Sequence, residues 1–133
     1  MKVDGRCHCG KIVFQAEVDP QTSQICHCTD CQTLSGSPWR ASVAAKAEAF
    51  RILSGEPRIY VKKSEDGTPR NQGFCGDCGT PLYSSAVKDT PVYMLRLGAL
   101  KQRAELKPTR QIWCRSALPW SSDVSKLPAT QLD

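Results

Sequence analysis

From Lys11 to Val18 the chain reads KIVFQAEV, with Ile12, Phe14, Ala16 and Val18 on one side and Gln15 and Glu17 on the other. A period of two marks a half-buried β-strand, because successive side chains point to opposite faces. RIYVKK (Arg58–Lys63) alternates in the same way, Ile59 and Val61 against Arg58, Tyr60 and Lys62. VYMLRLGAL (Val92–Leu100) is a longer apolar run that suits a central strand, and QIWCRSALPW (Gln111–Trp120) suits the last one. Turn residues separate these runs at Gly55–Pro57, Glu65–Pro69 and Lys88–Pro91. Only AAKAEAF (Ala44–Phe50) favours helix, and the tail SKLPATQLD reads as irregular. Short strands punctuated by Gly and Pro predict a mostly β protein. No repeat or linker interrupts the chain, so one domain is expected over residues 1–133.

A chain of 133 residues can build one hydrophobic core without covalent staples, so its eight cysteines call for another explanation. The opening MKVDGRCHCG has no apolar run of the kind a secretory signal needs. No segment approaches the roughly 18 apolar residues of a membrane helix. The expectation is a cytoplasmic protein, and in a reducing compartment clustered cysteines point to metal rather than disulfides. The formal charge of +5 counts every cysteine as a neutral thiol. The basic residues form no block beyond Lys62–Lys63, unlike the concentrated face of a nucleic-acid binder, so no nucleic-acid partner is expected. Nothing in the sequence sets the oligomeric state.

Seven cysteines fall into three clusters: Cys7-x-Cys9, Cys26-x-Cys28-x-x-Cys31 and Cys75-x-x-Cys78. On an extended strand residues i and i+2 face one side, so C-x-C can offer two sulfurs to one ion, and C-x-x-C does so from a tight turn. Structural zinc is four-coordinate and favours thiolate, so seven ligands divide as four plus three. Pairing Cys7 and Cys9 with Cys75 and Cys78 gives a closed four-thiolate site tying together distant parts of the chain. Cys26, Cys28 and Cys31 are then left with a fourth position free, the pattern of a catalytic or substrate-binding zinc. Spacing also permits a fourth ligand for this triplet from His8, His27, Cys114 or a carboxylate, a metal-free redox triplet, or a cross-pairing with Cys7 and Cys9. His8 and His27, each flanked by cysteines, should point away from the sulfurs on a strand. Cys114 reads as a small buried residue in an apolar strand, and Trp39, Trp113 and Trp120 read as core.

The run GRCHCGKIVF, then CHCTDCQTLSGSP, then FCGDCGTPLY, resembles the glutathione-dependent formaldehyde-activating family, which includes centromere protein V. The resemblance covers about residues 3–120, and PTRQIW and LPW look like the family's C-terminal pattern, with Gln111 where the family commonly has histidine. It implies a β-tent fold of antiparallel sheets pinned by zinc, with two Zn²⁺ per chain. Cys7, Cys9, Cys75 and Cys78 match the structural zinc ligands, and Cys26, Cys28 and Cys31 those of the active-site zinc. It further implies a carbon–sulfur lyase that condenses glutathione with formaldehyde to S-(hydroxymethyl)glutathione.

An open three-thiolate zinc suits that chemistry, because a metal lowers the pKa of an incoming thiol and takes it as thiolate. Glutathione has two carboxylates, which a basic rim would recognise; Arg6, Lys11 and Arg40 lie near cysteine clusters in sequence and are candidates. The competing functions are a non-enzymatic thiol carrier or zinc-binding adaptor, and a nucleic-acid or cytoskeletal adaptor. No His, Asp or Glu stands out as a general base.

Overall fold

A computed structural model of the chain describes residues 1–132. Nine strands and one α-helix follow in the order β1 (Lys2–Arg6), β2 (Val13–Val18), β3 (Gln24–Cys26), α1 (Thr29–Ser35), β4 (Arg40–Ser54), β5 (Arg58–Lys63), β6 (Pro69–Phe74), β7 (Pro81–Ala86), β8 (Val92–Arg96) and β9 (Arg110–Ile112). The main sheet runs β1-β2-β4-β8-β7-β6-β5, every pair antiparallel, so the expected mostly β fold holds. β3 adds to β4, and β9 lies parallel to β3. No helix of the described residues is long and apolar enough to cross a membrane.

Register sorts the side chains of β4, β8, β7 and β6 onto two faces. On one face Val43 stands opposite Leu95, Leu95 opposite Tyr83, and Tyr83 opposite Gly73. Val43, Leu95 and Tyr83 join Val3, Ile12, Phe14, Leu82, Leu100 and Leu106 in the buried core. Phe50 anchors an aromatic group there, with its ring centroid 5.6 Å from Phe14, 5.4 Å from Tyr83 and 4.5 Å from Tyr93. Two of these rings lie across glycines: a Cβ on Gly5 would overlap the Phe14 ring, and one on Gly73 would overlap Tyr83. On the other face Gln24 stands opposite Ser42, Ser42 opposite Arg96, and Cys26 opposite Arg40. Ala44, Met94, Ser84 and Gln72 continue it towards β5. Arg40, Ser42, Gln72 and Ser84 are nonetheless buried, because this polar face lines a cavity.

Several local expectations change. AAKAEAF is not helical; it lies within the 15-residue strand β4. Alanine's helix preference is worth only tenths of a kcal/mol per residue. Here small residues let β2 and β8 flank β4, with Ala45 opposite both Val18 and Tyr93. The run from Val92 keeps strand geometry only to Arg96 and tightens into a 3-10 turn at Leu97–Ala99. The last strand is three residues long, because Trp113 takes a left-handed backbone, φ 57°, and the chain continues in 3-10 turns at Cys114–Ser116 and Pro119–Ser122. Cys114 is therefore exposed and not a buried strand residue. Trp113 and Trp120 are 42% and 61% exposed and not core.

Candidate metal centres and the adjoining cavity

The chain turns sharply after β1 and again after β6. Cys7 N–H donates to the Ile12 carbonyl at 3.0 Å and Gly10 N–H to the Cys7 carbonyl at 3.1 Å. In the second turn Cys75 N–H donates to the Thr80 carbonyl at 3.0 Å and Gly79 N–H to the Cys75 carbonyl at 2.8 Å. Gly10 and Gly79 have φ of 81° and 77°, the left-handed region that glycine enters without strain. The His8 N–H donates to Thr80 Oγ1 at 2.9 Å and joins the two turns.

These turns bring the sulfurs of Cys7, Cys9, Cys75 and Cys78 within 4.8 Å of one another. Cys7 Sγ lies 3.5 Å from Cys9 Sγ, which lies 3.8 Å from Cys75 Sγ. A tetrahedron with metal–sulfur bonds of about 2.3 Å has edges of about 3.8 Å, so these donors fit zinc. The Ile12 N–H reaches Cys7 Sγ at 3.3 Å, and Thr80 Oγ1 lies 3.1 Å from Cys78 Sγ. The contact with Thr80, followed by backbone N–H donors, draws the Cys78 thiol down to about 5, which favours the thiolate a metal binds.

The second group forms where β3 meets α1. β3 ends at Cys26, Cys28 caps the helix by accepting the Cys31 N–H at 3.3 Å, and Cys31 sits in the first turn. Their three sulfurs also lie within 4.8 Å of one another. No His, Asp, Glu or further Cys among the described residues completes a fourth corner. The Cys26–Cys31 hydrogen bond lowers the Cys26 thiol and raises that of Cys31. A divalent cation would supply the charge that lets all three ionise. His27 is buried and turned away from the sulfurs, with Nε2 2.8 Å from Gln111 Oε1. His8 is exposed.

Cys26, Cys28 and Cys31 line a cavity of about 180 Å³ together with Arg40, Lys62, Arg70, Gln72, Arg96 and Trp113. Arg40 Nη1 donates to Gln72 Oε1 at 3.2 Å, and Arg96 Nη2 donates to the same oxygen at 3.0 Å. Arg96 Nη1 also donates to Ser42 Oγ at 2.8 Å. At the mouth Lys62 Nζ meets Asp30 Oδ2 at 2.8 Å. Burial, and Arg40 beside it, pulls the Arg96 guanidinium down to about 9. Burial also lowers Arg40, while Cys31, Cys28 and Cys26 oppose that shift. Arg6 and Lys11 belong to the other cluster: Arg6 donates to the Cys7 carbonyl at 3.4 Å, and Lys11 pairs with Asp77 at 3.1 Å. Of the three basic residues near cysteines in sequence, only Arg40 reaches this cavity.

Residues 2–116 match the family model of the glutathione-dependent formaldehyde-activating enzyme. The chain belongs to that family. All seven clustered cysteines lie inside the match. A Halomonas elongata relative, provisionally named a glutathione-dependent formaldehyde-activating enzyme, is 25% identical over 87 residues. The match covers 62% of this chain and 55% of the relative, so the chain spans about half the length of that curated family relative. The crystal structure of a Rhodobacter sphaeroides protein aligns with a TM-score of 0.63 at 19% identity, covering 84% of this chain and 99% of that one. At that identity the likeness concerns the fold.

Sequence reading had not singled out Lys62, Arg70, Gln72, Arg96 or Trp113 for the cavity. The period-two alternation of RIYVKK puts Lys62 on the polar face, and Arg96 breaks an apolar run, but the pairing of β5, β6 and β8 brings them to the cysteines.

Proposed function

We propose that this protein is a zinc-dependent carbon–sulfur lyase acting on a small thiol, glutathione or a similar molecule, and its formaldehyde or other carbonyl adduct. Cys7, Cys9, Cys75 and Cys78 hold a structural zinc, and Cys26, Cys28 and Cys31 hold a second one open to the ligand. The observation that carries this reading is the triplet of thiols, without a fourth protein donor among the described residues, at the wall of a cationic cavity. Zinc there supplies a position at which a thiol binds as thiolate.

The chain's own residues bind and orient. Cys28 and Cys31 are fixed by the helix cap, so their sulfurs are placed before any ligand arrives. In the addition, the sulfur forms a bond to the carbonyl carbon and the thiol proton ends on the carbonyl oxygen; the reverse reaction breaks the same bond. Negative charge develops on that oxygen, and the cationic lining gives the cavity a preorganised positive field. Trp113, 42% exposed, lines one side of the cavity.

A second reading, a thiol carrier without turnover, draws on a different observation: no His, Asp or Glu lines the cavity itself, and Asp30 and Glu65 in a neighbouring groove are each paired with a cation. The two readings separate by exchange NMR on a mixture of glutathione and formaldehyde. The lyase speeds interconversion of free and hydroxymethylated thiol above the uncatalysed rate. A carrier binds the thiol and leaves the rate unchanged. Native mass spectrometry should find two zinc ions per chain for either reading; one would count against the open site. Action on such thiols also suits a cytoplasmic protein.

A further inference from the structure

The charge in the cavity is unbalanced. Arg40, only 6% exposed, and Arg96, whose Nε–H is buried without a partner, converge on a single neutral acceptor, Gln72 Oε1. Arg70 and Lys62 line the same space. No carboxylate lines it, and Asp30 meets Lys62 from outside. Buried charges in proteins are ordinarily paired, because an unpaired ion loses its hydration without replacement. Three thiolates around a dication would offer a single net negative charge against the guanidiniums of Arg40 and Arg96. An amide oxygen orients two guanidiniums but does not neutralise them.

The position of the excess charge is informative. Arg40 stands directly opposite Cys26 in the β3–β4 register, so one guanidinium and one sulfur share a face of the sheet. Ser42 lies two residues further along β4, opposite Arg96, and ties the second guanidinium to that face. Guanidinium presents a planar fork of N–H donors that matches a carboxylate and holds it in a fixed direction. The cavity of about 180 Å³ has room for a compact group beside the sulfurs, and Cys28, Lys62, Ser64 and Trp113 also border the neighbouring groove of about 560 Å³.

We propose that Arg40 and Arg96 form a carboxylate subsite beside Cys26, Cys28 and Cys31, and that the cavity takes a compact mercapto-acid whose sulfur goes to the cysteine cluster and whose carboxylate goes to the guanidinium pair. This rests on the thiol-binding reading above and narrows its substrate class. Neutral and cationic thiols of the same size leave the guanidiniums uncompensated and bind more weakly.

The test is calorimetric titration of the zinc-loaded protein, at one neutral pH, with mercaptopropionate, mercaptoethanol, cysteamine and propionate. Mercaptopropionate should bind at least about tenfold more tightly than mercaptoethanol, equal to about 1.4 kcal/mol, with cysteamine weaker than both. Propionate should bind measurably but more weakly than mercaptopropionate. Arg40→Lys and Arg96→Lys keep a positive charge and lose the fork, so the preference for the acid should shrink towards parity while zinc content by native mass spectrometry stays at the wild-type value. Equal affinities for acid and neutral thiols in the wild-type protein overturn the proposal, and that comparison depends on no variant. Loss of zinc together with equal weakening of both thiols in the variants also overturns it, because the guanidiniums would then serve only the cysteine cluster. Thiols that bind without preference defeat this inference alone; no binding by any thiol defeats the open-site reading as well.

Discussion

Cys9 and Cys75, 66 positions apart in the chain, hold their sulfurs 3.8 Å from each other. Cys9 follows the first strand and Cys75 follows the sixth, so an ion held between them would clamp opposite parts of the sheet. Cys26, Cys28 and Cys31 lie within one short segment and clamp nothing distant.

Cys78→Ser should therefore cost far more stability than Cys31→Ser. Metal binding by structural thiolate sites in zinc-finger peptides is worth about 10–16 kcal/mol, comparable to or above the stability of a whole domain. Thermal unfolding should show Cys78→Ser aggregated or without a cooperative transition. Cys31→Ser should keep a cooperative transition, because its cluster closes no long loop. Equal destabilisation would mean that the triplet also holds the fold.

Chelation should proceed in two stages. The triplet offers three protein ligands and borders a cavity, whereas the other cluster offers four; Cys9 there is exposed, so ligand number and not burial sets the order. A chelator followed by native mass spectrometry and circular dichroism should remove one zinc while the β spectrum persists, then the second with unfolding. Simultaneous loss of both would contradict the division of roles.

Gly5 faces Phe14 across β1 and β2, and the ring occupies the space that a Cβ would need. Gly5→Ala should destabilise by about 1–3 kcal/mol, the usual cost of overpacking a filled core. Denaturant titration measures it. A change below about 0.5 kcal/mol, the range of ordinary surface substitutions, would show that the ring moves aside freely.

Trp113 combines a left-handed backbone with a place on the cavity wall, and the Arg115 guanidinium lies 5.0 Å from its ring centroid. A non-glycine residue in that conformation costs about 1–2 kcal/mol. Trp113→Gly should leave the melting temperature unchanged or raise it, while weakening thiol affinity through loss of the wall. A marked drop in melting temperature would identify the ring as a structural prop.

The core face of β2 was legible because alternation follows directly from the pleat: Phe14, Ala16 and Val18 face inward as their spacing requires. In β5 the same alternation misled, since this edge strand leaves Ile59 and Val61 exposed and turns Lys62 towards the cavity. The three cysteine clusters were legible because their spacing is local. Helix at Ala44–Phe50 misled, since an alanine-rich segment has only a weak preference of its own and the β2 and β8 partners decide. The cavity was not legible, because Ser42, Ser84, Gln72 and Arg96 occupy alternate positions that would normally face water. They come to face an enclosed space only once β3, α1 and β5 gather around the same side. Cys114 and Trp113 were misread for one reason: the left-handed turn at Trp113 ends the strand, and a tryptophan gives no warning of it.

The central claim is that Cys26, Cys28 and Cys31 hold a metal with one position open to a thiol. Cobalt-substituted protein tests it most directly, through the thiolate-to-metal absorption band during titration with glutathione and with mercaptopropionate. The account predicts a change that saturates at one thiol per chain and disappears in Cys31→Ser, with the band of the four-cysteine site unaltered. A spectrum that no thiol perturbs would contradict it and leave the triplet without a position open to a thiol.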